Sequence, residues 1–222
     1  MKHQQALIEK YCSKGYYYYS RTYSEVEWDN QEKAYEFMSK YWLSSEKELE
    51  AVSMRIEEMF NNSSSTFPEL QFNNDYNLIF LPGACLLTKE DFVLLQTIMS
   101  VFGDEHFYII QNQSMLENGE PSFRMKFPSN ITWAELMSGN CISSALFELI
   151  HNDYFVIGQS NKWGKYSATD YIWPMDVYGI RANEPVDIAH LFDVERINRE
   201  DVYGWLPNDF KKEFLENLYN KM

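Results

Sequence analysis

The chain has 222 residues, 45% of them hydrophobic and 17% aromatic, including 16 Tyr, 15 Phe and 6 Trp. That content excludes intrinsic disorder, which needs few aromatics and low hydrophobicity, and it supplies a sizeable core. The 19 Lys and Arg stand against 33 Asp and Glu, a formal net charge of −14, which excludes the basic surface that nucleic acid or anionic lipid would need.

The first sixty residues read as helical. A short helix is predicted from His3 to Ser13, with the tyrosine-rich stretch GYYYYS extended or turned behind it. Ser24-Glu25-Val26-Glu27 has the form of a capping box, and Trp28, Tyr35, Met38 and Trp42 follow at roughly helical spacing. Ser45-Glu46-Lys47-Glu48 repeats the capping pattern ahead of Leu49, Val52, Ile56 and Met59, which share one helical face. These two segments read as antiparallel helices. The polar run NNSSST at 61–66 marks a loop or boundary.

Beyond that run the pattern changes. YNLIFLP at 76–82 reads as a buried strand. Thr88 to Phe102 reads as a helix capped by Thr88 and ended by Gly103, with Phe92, Leu95, Met99 and Phe102 inward. HFYIIQN (106–112) and SFRMKFP (122–128) form a hairpin about NGEP. Thr132 to Glu135 opens a short helix that Gly139 closes, and 141–151 fits a helical face better than alternation. DYFVIG, KYSATD and MDVYGI are three further strands, and Asn208 to Lys221 a closing helix with Phe210, Phe214 and Leu218 on one side. The fold class is therefore α+β: N-terminal helices, then a mostly antiparallel sheet with packed helices and a C-terminal helix. One domain over 1–222 is expected, with a divide between a helical region at 1–60 and a sheet-containing region at 67–222.

The acidity is not confined to a tail: residues 24–60 carry 10 acids and 4 bases, 61–175 carry 12 and 5, and 176–222 carry 10 and 6. An acidic surface serves solubility, and it also speeds encounter with a basic partner. Cys12, Cys85 and Cys141 are far apart, odd in number and without metal-ligand spacing. There is no apolar leader and no run of about 18 apolar residues, so the expectation is a reduced, soluble, cytoplasmic protein outside the membrane. Cys85 and Cys141 lie among apolar or small residues, which suits inert buried thiols better than nucleophiles. Of His3, His106, His151 and His190, His151 in HNDYF and His190 in AHLFDVE each stand near an acid, at spacings of two and three, whereas a metal site needs three or four convergent ligands. No catalytic residue, metal ligand or cofactor is assigned. The acids at Glu46, Glu48, Glu50, Glu57 and Glu58 read as solvated helix faces.

GQSNKWGKY (158–166) places Lys162 and Lys165 in an acidic protein between two glycines, without the spacing of a phosphate loop. It reads as a hairpin tip with Trp163 folded onto the sheet, or as a binding loop with aromatic anchors. In the second case the partner-binding residues are Trp163, Tyr166, Tyr171 and Trp173, with Asp153 and Asp170 as local acids.

FPSNITWAELMSG, followed by LFELIHNDYFVIGQSNKWGKYSATDYIWPMDVYGI, resembles immunity-type proteins of bacterial polymorphic toxin systems. In those a W-x-E-L helix precedes a Y-F-V-x-G strand and a W-G-K-Y turn; the likeness covers about residues 106–182. WLPNDFKKEFLENLYNK (205–221) is similar to a helix found early in the SUKH superfamily of immunity proteins. Here it stands at the C-terminus, out of order, so membership of that superfamily is not assigned. The resemblance implies tight protein binding without catalysis, and the charge is compatible with a basic toxin or nuclease domain as target. Two other readings stand beside it: a small enzyme or ligand-binding domain with a pocket between sheet and helices, and a protein that self-associates through tyrosines.

Overall fold

A computed structural model describes residues 2–12, 30–60, 72–73, 75–82, 87–112, 119–147, 153–168 and 175–184. Six strands form one fully antiparallel sheet: β1 (Tyr76–Pro82), β2 (His106–Gln111), β3 (Arg124–Pro128), β4 (Tyr154–Gly158), β5 (Trp163–Ala168) and β6 (Met175–Arg181). Their spatial order is β1-β6-β5-β4-β2-β3. The helices among the described residues are α1 (Lys2–Tyr11), α2 (Gln31–Tyr41), α3 (Glu46–Met59), α4 (Lys89–Phe102), α5 (Trp133–Leu136) and α6 (Cys141–Phe147); a 3-10 turn at Met137–Gly139 lies between the last two. The α+β class read from the sequence is the observed one.

Four of the described helices, α2 to α5, start where a side chain satisfies a free amide. Asn30 accepts from the Lys33 amide at 3.1 Å and Ser45 from the Glu48 amide at 3.2 Å. Thr88 with Asp91, and Thr132 with Glu135, form complete capping boxes. Gly103 ends α4 at φ +68, where a Cβ would be strained. The helix expected from Ser24 is corrected at its start: α2 begins at Gln31 under Asn30, leaving Trp42 as its C-cap and Tyr35 37% exposed. The stretches 13–29, 61–66 and the closing helix at 208–221 lie outside the described residues.

Helix α4 crosses from edge strand β1 to β2. That is four strand steps of about 4.8 Å, or about 19 Å. A 14-residue helix spans about 21 Å, so its length matches the crossing. Strand side chains alternate between faces, and each face has its own core. On one face Phe107, Ile109, Val156, Trp163 and Tyr178 pack with α1, α2, α4, α5 and α6. On the other, Tyr108, Ile110, Phe155, Ile157, Tyr166 and Val177 pack with Val52 and Met59 of α3 and with Phe60 and Phe72. The outer edge of β3 is covered where Trp42 bridges Met125 and the Leu43 amide donates to the Arg124 carbonyl at 3.0 Å.

Leu95 is fully buried on the inner face of α4, whereas Val93 on the same helix is 58% exposed. Leu95→Ala is expected to cost about 2–5 kcal/mol of unfolding free energy. Val93→Ala should change it by less than about 0.5 kcal/mol in the same denaturant titration.

Candidate functional site

The β4–β5 hairpin, the stretch most marked in the sequence, turns at Gln159–Lys162 with Asn161 at φ +60. Asp104, at the junction of α4 and β2, fastens the turn from inside. Its carboxylate accepts from the Ser160 amide at 2.5 Å, the Ser160 hydroxyl at 3.2 Å and the Trp163 indole nitrogen at 2.6 Å. Gly158 is required where the chain passes this anchor, because a Cβ would collide with the Asp104 carboxylate and the Trp163 ring.

Trp163 is thereby wholly enclosed, as is Tyr166 on the opposite face of β5. The Tyr166 hydroxyl donates to Asp153 at 2.5 Å and accepts from the Asn112 amide group at 3.3 Å. Burial first, and then the charge of Asp153, push the Tyr166 phenol far above its ordinary value. Surface anchors have to be exposed, and Trp163, Tyr166 and Asp153 are not: all three are core residues that hold the hairpin together. Asp170, Tyr171 and Trp173 lie outside the described residues, as do His151, His190 and Cys85. His106 is half-buried, with Nδ1 3.5 Å from Gln159 Oε1. His3 is exposed on α1. No group of three His, Cys, Asp or Glu side chains converges on a metal position among the described residues.

Lys165, expected as a positive charge at the turn, is instead completely buried within β5. The register sets it opposite Tyr178, and sets Ser167 opposite Asp176, on the face that packs against α4. Its ammonium lies 2.8 Å from Asp176 Oδ2 and 5.5 Å from the centre of the Tyr178 ring, while the Ser167 hydroxyl donates to Asp176 Oδ1. Burial works against the ammonium, but Asp176, Tyr178 and Asp91 outweigh it and raise the Lys165 pKa. A lysine held protonated in this way is not a base, so it cannot activate the neighbouring hydroxyl. Burial raises the Asp176 carboxyl above its ordinary value, and Lys165 and Ser167 draw it back in part. The cluster is a structural ion pair. Period-two reading of WGKYSA already sets Trp163, Lys165 and Ser167 on one face; the facing Asp176 follows only from the β5–β6 register.

The remaining features lie on the outside. Glu46, Glu50, Met54, Glu57 and Glu58 share the outer face of α3, and Met54 is 63% exposed. Glu46 reaches Arg124 at 3.3 Å and Glu58 accepts from Asn161 at 2.6 Å. A groove of about 460 Å³ between α2 and the 3-10 turn is lined by Lys33, Glu36, Phe37, Lys40, Met137 and Asn140. It lies between helices rather than between sheet and helices. Cys12 and Cys141 are joined in a disulfide that links α1 to α6, so the expectation of a free, inert Cys141 thiol is corrected.

Lys165→Met leaves Asp176 buried without its cation and is expected to cost about 3–5 kcal/mol, with most of it recovered in Lys165→Met/Asp176→Leu. The cost has a pH signature. A carboxyl with a raised folded pKa carries no ionisation penalty below its unfolded value of 3.8, and the penalty grows as pH rises through the folded value. The gap between wild type and Lys165→Met should therefore narrow on acidification, as measured by denaturant unfolding across pH.

No family model, curated protein or solved structure matches this chain, so the likeness to immunity-type proteins rests on the sequence motifs alone.

Proposed function

We propose that the chain is a non-enzymatic protein-binding module of the cytoplasm, an immunity protein that occupies a basic toxin domain. The observation that carries this reading is the outer face of α3, where Glu50, Glu57 and Glu58 stand within one turn of the exposed Met54 and Glu46 lies two turns before it. Interfaces combine an apolar centre with a polar rim, and a methionine adapts its shape to the surface it meets. Four carboxylates on that face would select a cationic partner and repel nucleic acid and anionic membrane. The net charge of −14 extends the same field over the molecule. The resemblance of residues 106–182 to immunity-type proteins supports the same class by a separate route. Inhibition would be steric: acids steer the partner in, Met54 seats against it, and the bound chain covers its active site without chemistry of its own.

The tagged full chain, used to capture partners from its native cells at low and moderate salt, should retain one basic protein at equal stoichiometry. Its association rate should fall as salt rises while dissociation changes less. Glu50→Lys/Glu57→Lys should weaken binding by about tenfold or more, with the folded circular dichroism spectrum unchanged. An on-rate indifferent to salt, or binding indifferent to the two charge reversals, would sink the proposal.

A further inference from the structure

The disulfide joins Cys12 and Cys141 across a sequence separation of 129, with Cα atoms 5.2 Å apart. Both half-cystines are buried, Cys12 at 3% and Cys141 at 0% exposure. What the bond holds is α1, a helix of ten residues. That is below the roughly 12–15 residues at which a lone helix becomes marginally stable in water, so α1 depends on its docking. Among the described residues its docking surface is small. Leu7, Ile8 and Tyr11 are its buried side chains, with the Tyr11 ring stacked on Phe123 at 5.5 Å. At the rim, Gln4 donates to the Met38 carbonyl at 3.3 Å, and Lys10 meets Glu120 at 3.4 Å with both partners about one-third exposed. Exposed ion pairs of that kind contribute little.

The sulfurs lie beneath the helix they secure, next to Leu7, Ile8 and Tyr11 in the same core. A thiol gains access to them when α1 opens transiently, and the intact bond biases α1 toward its docked position. We propose that Cys12 and Cys141 are a redox-governed latch: oxidised, they lock α1 onto α2 and α6; reduced, they let α1 open locally and uncover the surface around Phe123. The exchange balances with an ordinary thiol as co-reactant. A thiolate of glutathione or a small dithiol attacks one sulfur, forming a mixed disulfide and expelling the other as thiolate. A second thiol resolves the mixed disulfide, so two electrons pass to the protein, two protons end on Cys12 and Cys141, and the reagent leaves as its disulfide. Closure is the reverse, with a small-molecule disulfide as electron acceptor. In the cytoplasm, where thiols are kept reduced, such a pair works as a sensor rather than a permanent staple.

Hydrogen exchange read by mass spectrometry on the full chain tests this. After glutathione disulfide, alkylation of the denatured protein should find one free thiol, Cys85, of the three cysteines; after dithiothreitol it should find three. Reduction should speed exchange of the α1 amides by at least about tenfold while β2 and β4 stay protected. Cys12→Ser should exchange fast in α1 under both conditions, and Cys85→Ser should keep the redox dependence. Exchange of α1 that ignores redox state, or a bond that includes Cys85, would overturn the latch. So would deprotection of β2 and β4 in step with α1, because the bond would then be a staple for the whole fold.

Discussion

A central sheet that must bury both of its faces governs the rest of this molecule. Every residue of β4, Tyr154 to Gly158, is buried, and the strands beside it present large side chains alternately to one side and the other. Such a strand has no solvent face, so helices must cover it twice over. Five of the six described helices supply one cover, and α3, with Phe60 and Phe72, supplies the other. The asymmetry has a consequence. Among the described residues, one cover draws on several helices, while on the other α3 carries both the inner packing of Val52 and Met59 and an acidic outer face.

The same demand explains why polar side chains inside the sheet occur in satisfied groups. Asp104 accepts from the hairpin turn and from Trp163, Asp153 accepts from Tyr166, and Asp176 takes both Lys165 and Ser167. An isolated charge at any of these places would be very costly to bury, and each instead has a donor within hydrogen-bond reach. These groups also pin the hairpin register. A one-residue slip of β5 would turn Lys165 onto the face held by Tyr166 and bring Tyr166 to the Asp176 side, breaking two polar groups together.

With the hairpin committed to the core, binding capacity falls to the surface layers. Residues that resemble recognition anchors in the sequence, an indole and a phenol beside a carboxylate, act as internal bolts. The acids of α3, unremarkable in the sequence as a solvated helix face, gain significance from the exposed methionine beside them and from their place on the helix that, among the described residues, covers this face of the sheet. The disulfide lies on the opposite cover, so the proposed latch at α1 and the proposed interface on α3 occupy different faces of the sheet.

The sequence by itself determined the class, the strands and most helix starts, because capping side chains, period-two alternation and Gly103 act within a few residues of chain. Its resemblance to immunity-type proteins is local in the same sense, a run of short motifs. The start of α2 was misread because Asn30 makes as good a cap as Ser24, which itself lies outside the described residues. Which aromatics are buried, which cation finds which acid and which cysteines meet was decided by tertiary structure alone. Lys165 and Asp176 are eleven residues apart, Trp163 and Asp104 fifty-nine, Cys12 and Cys141 one hundred and twenty-nine. Each of those pairs depends on strand register or helix docking, and both are set by how two cores close on one sheet rather than by any neighbour along the chain.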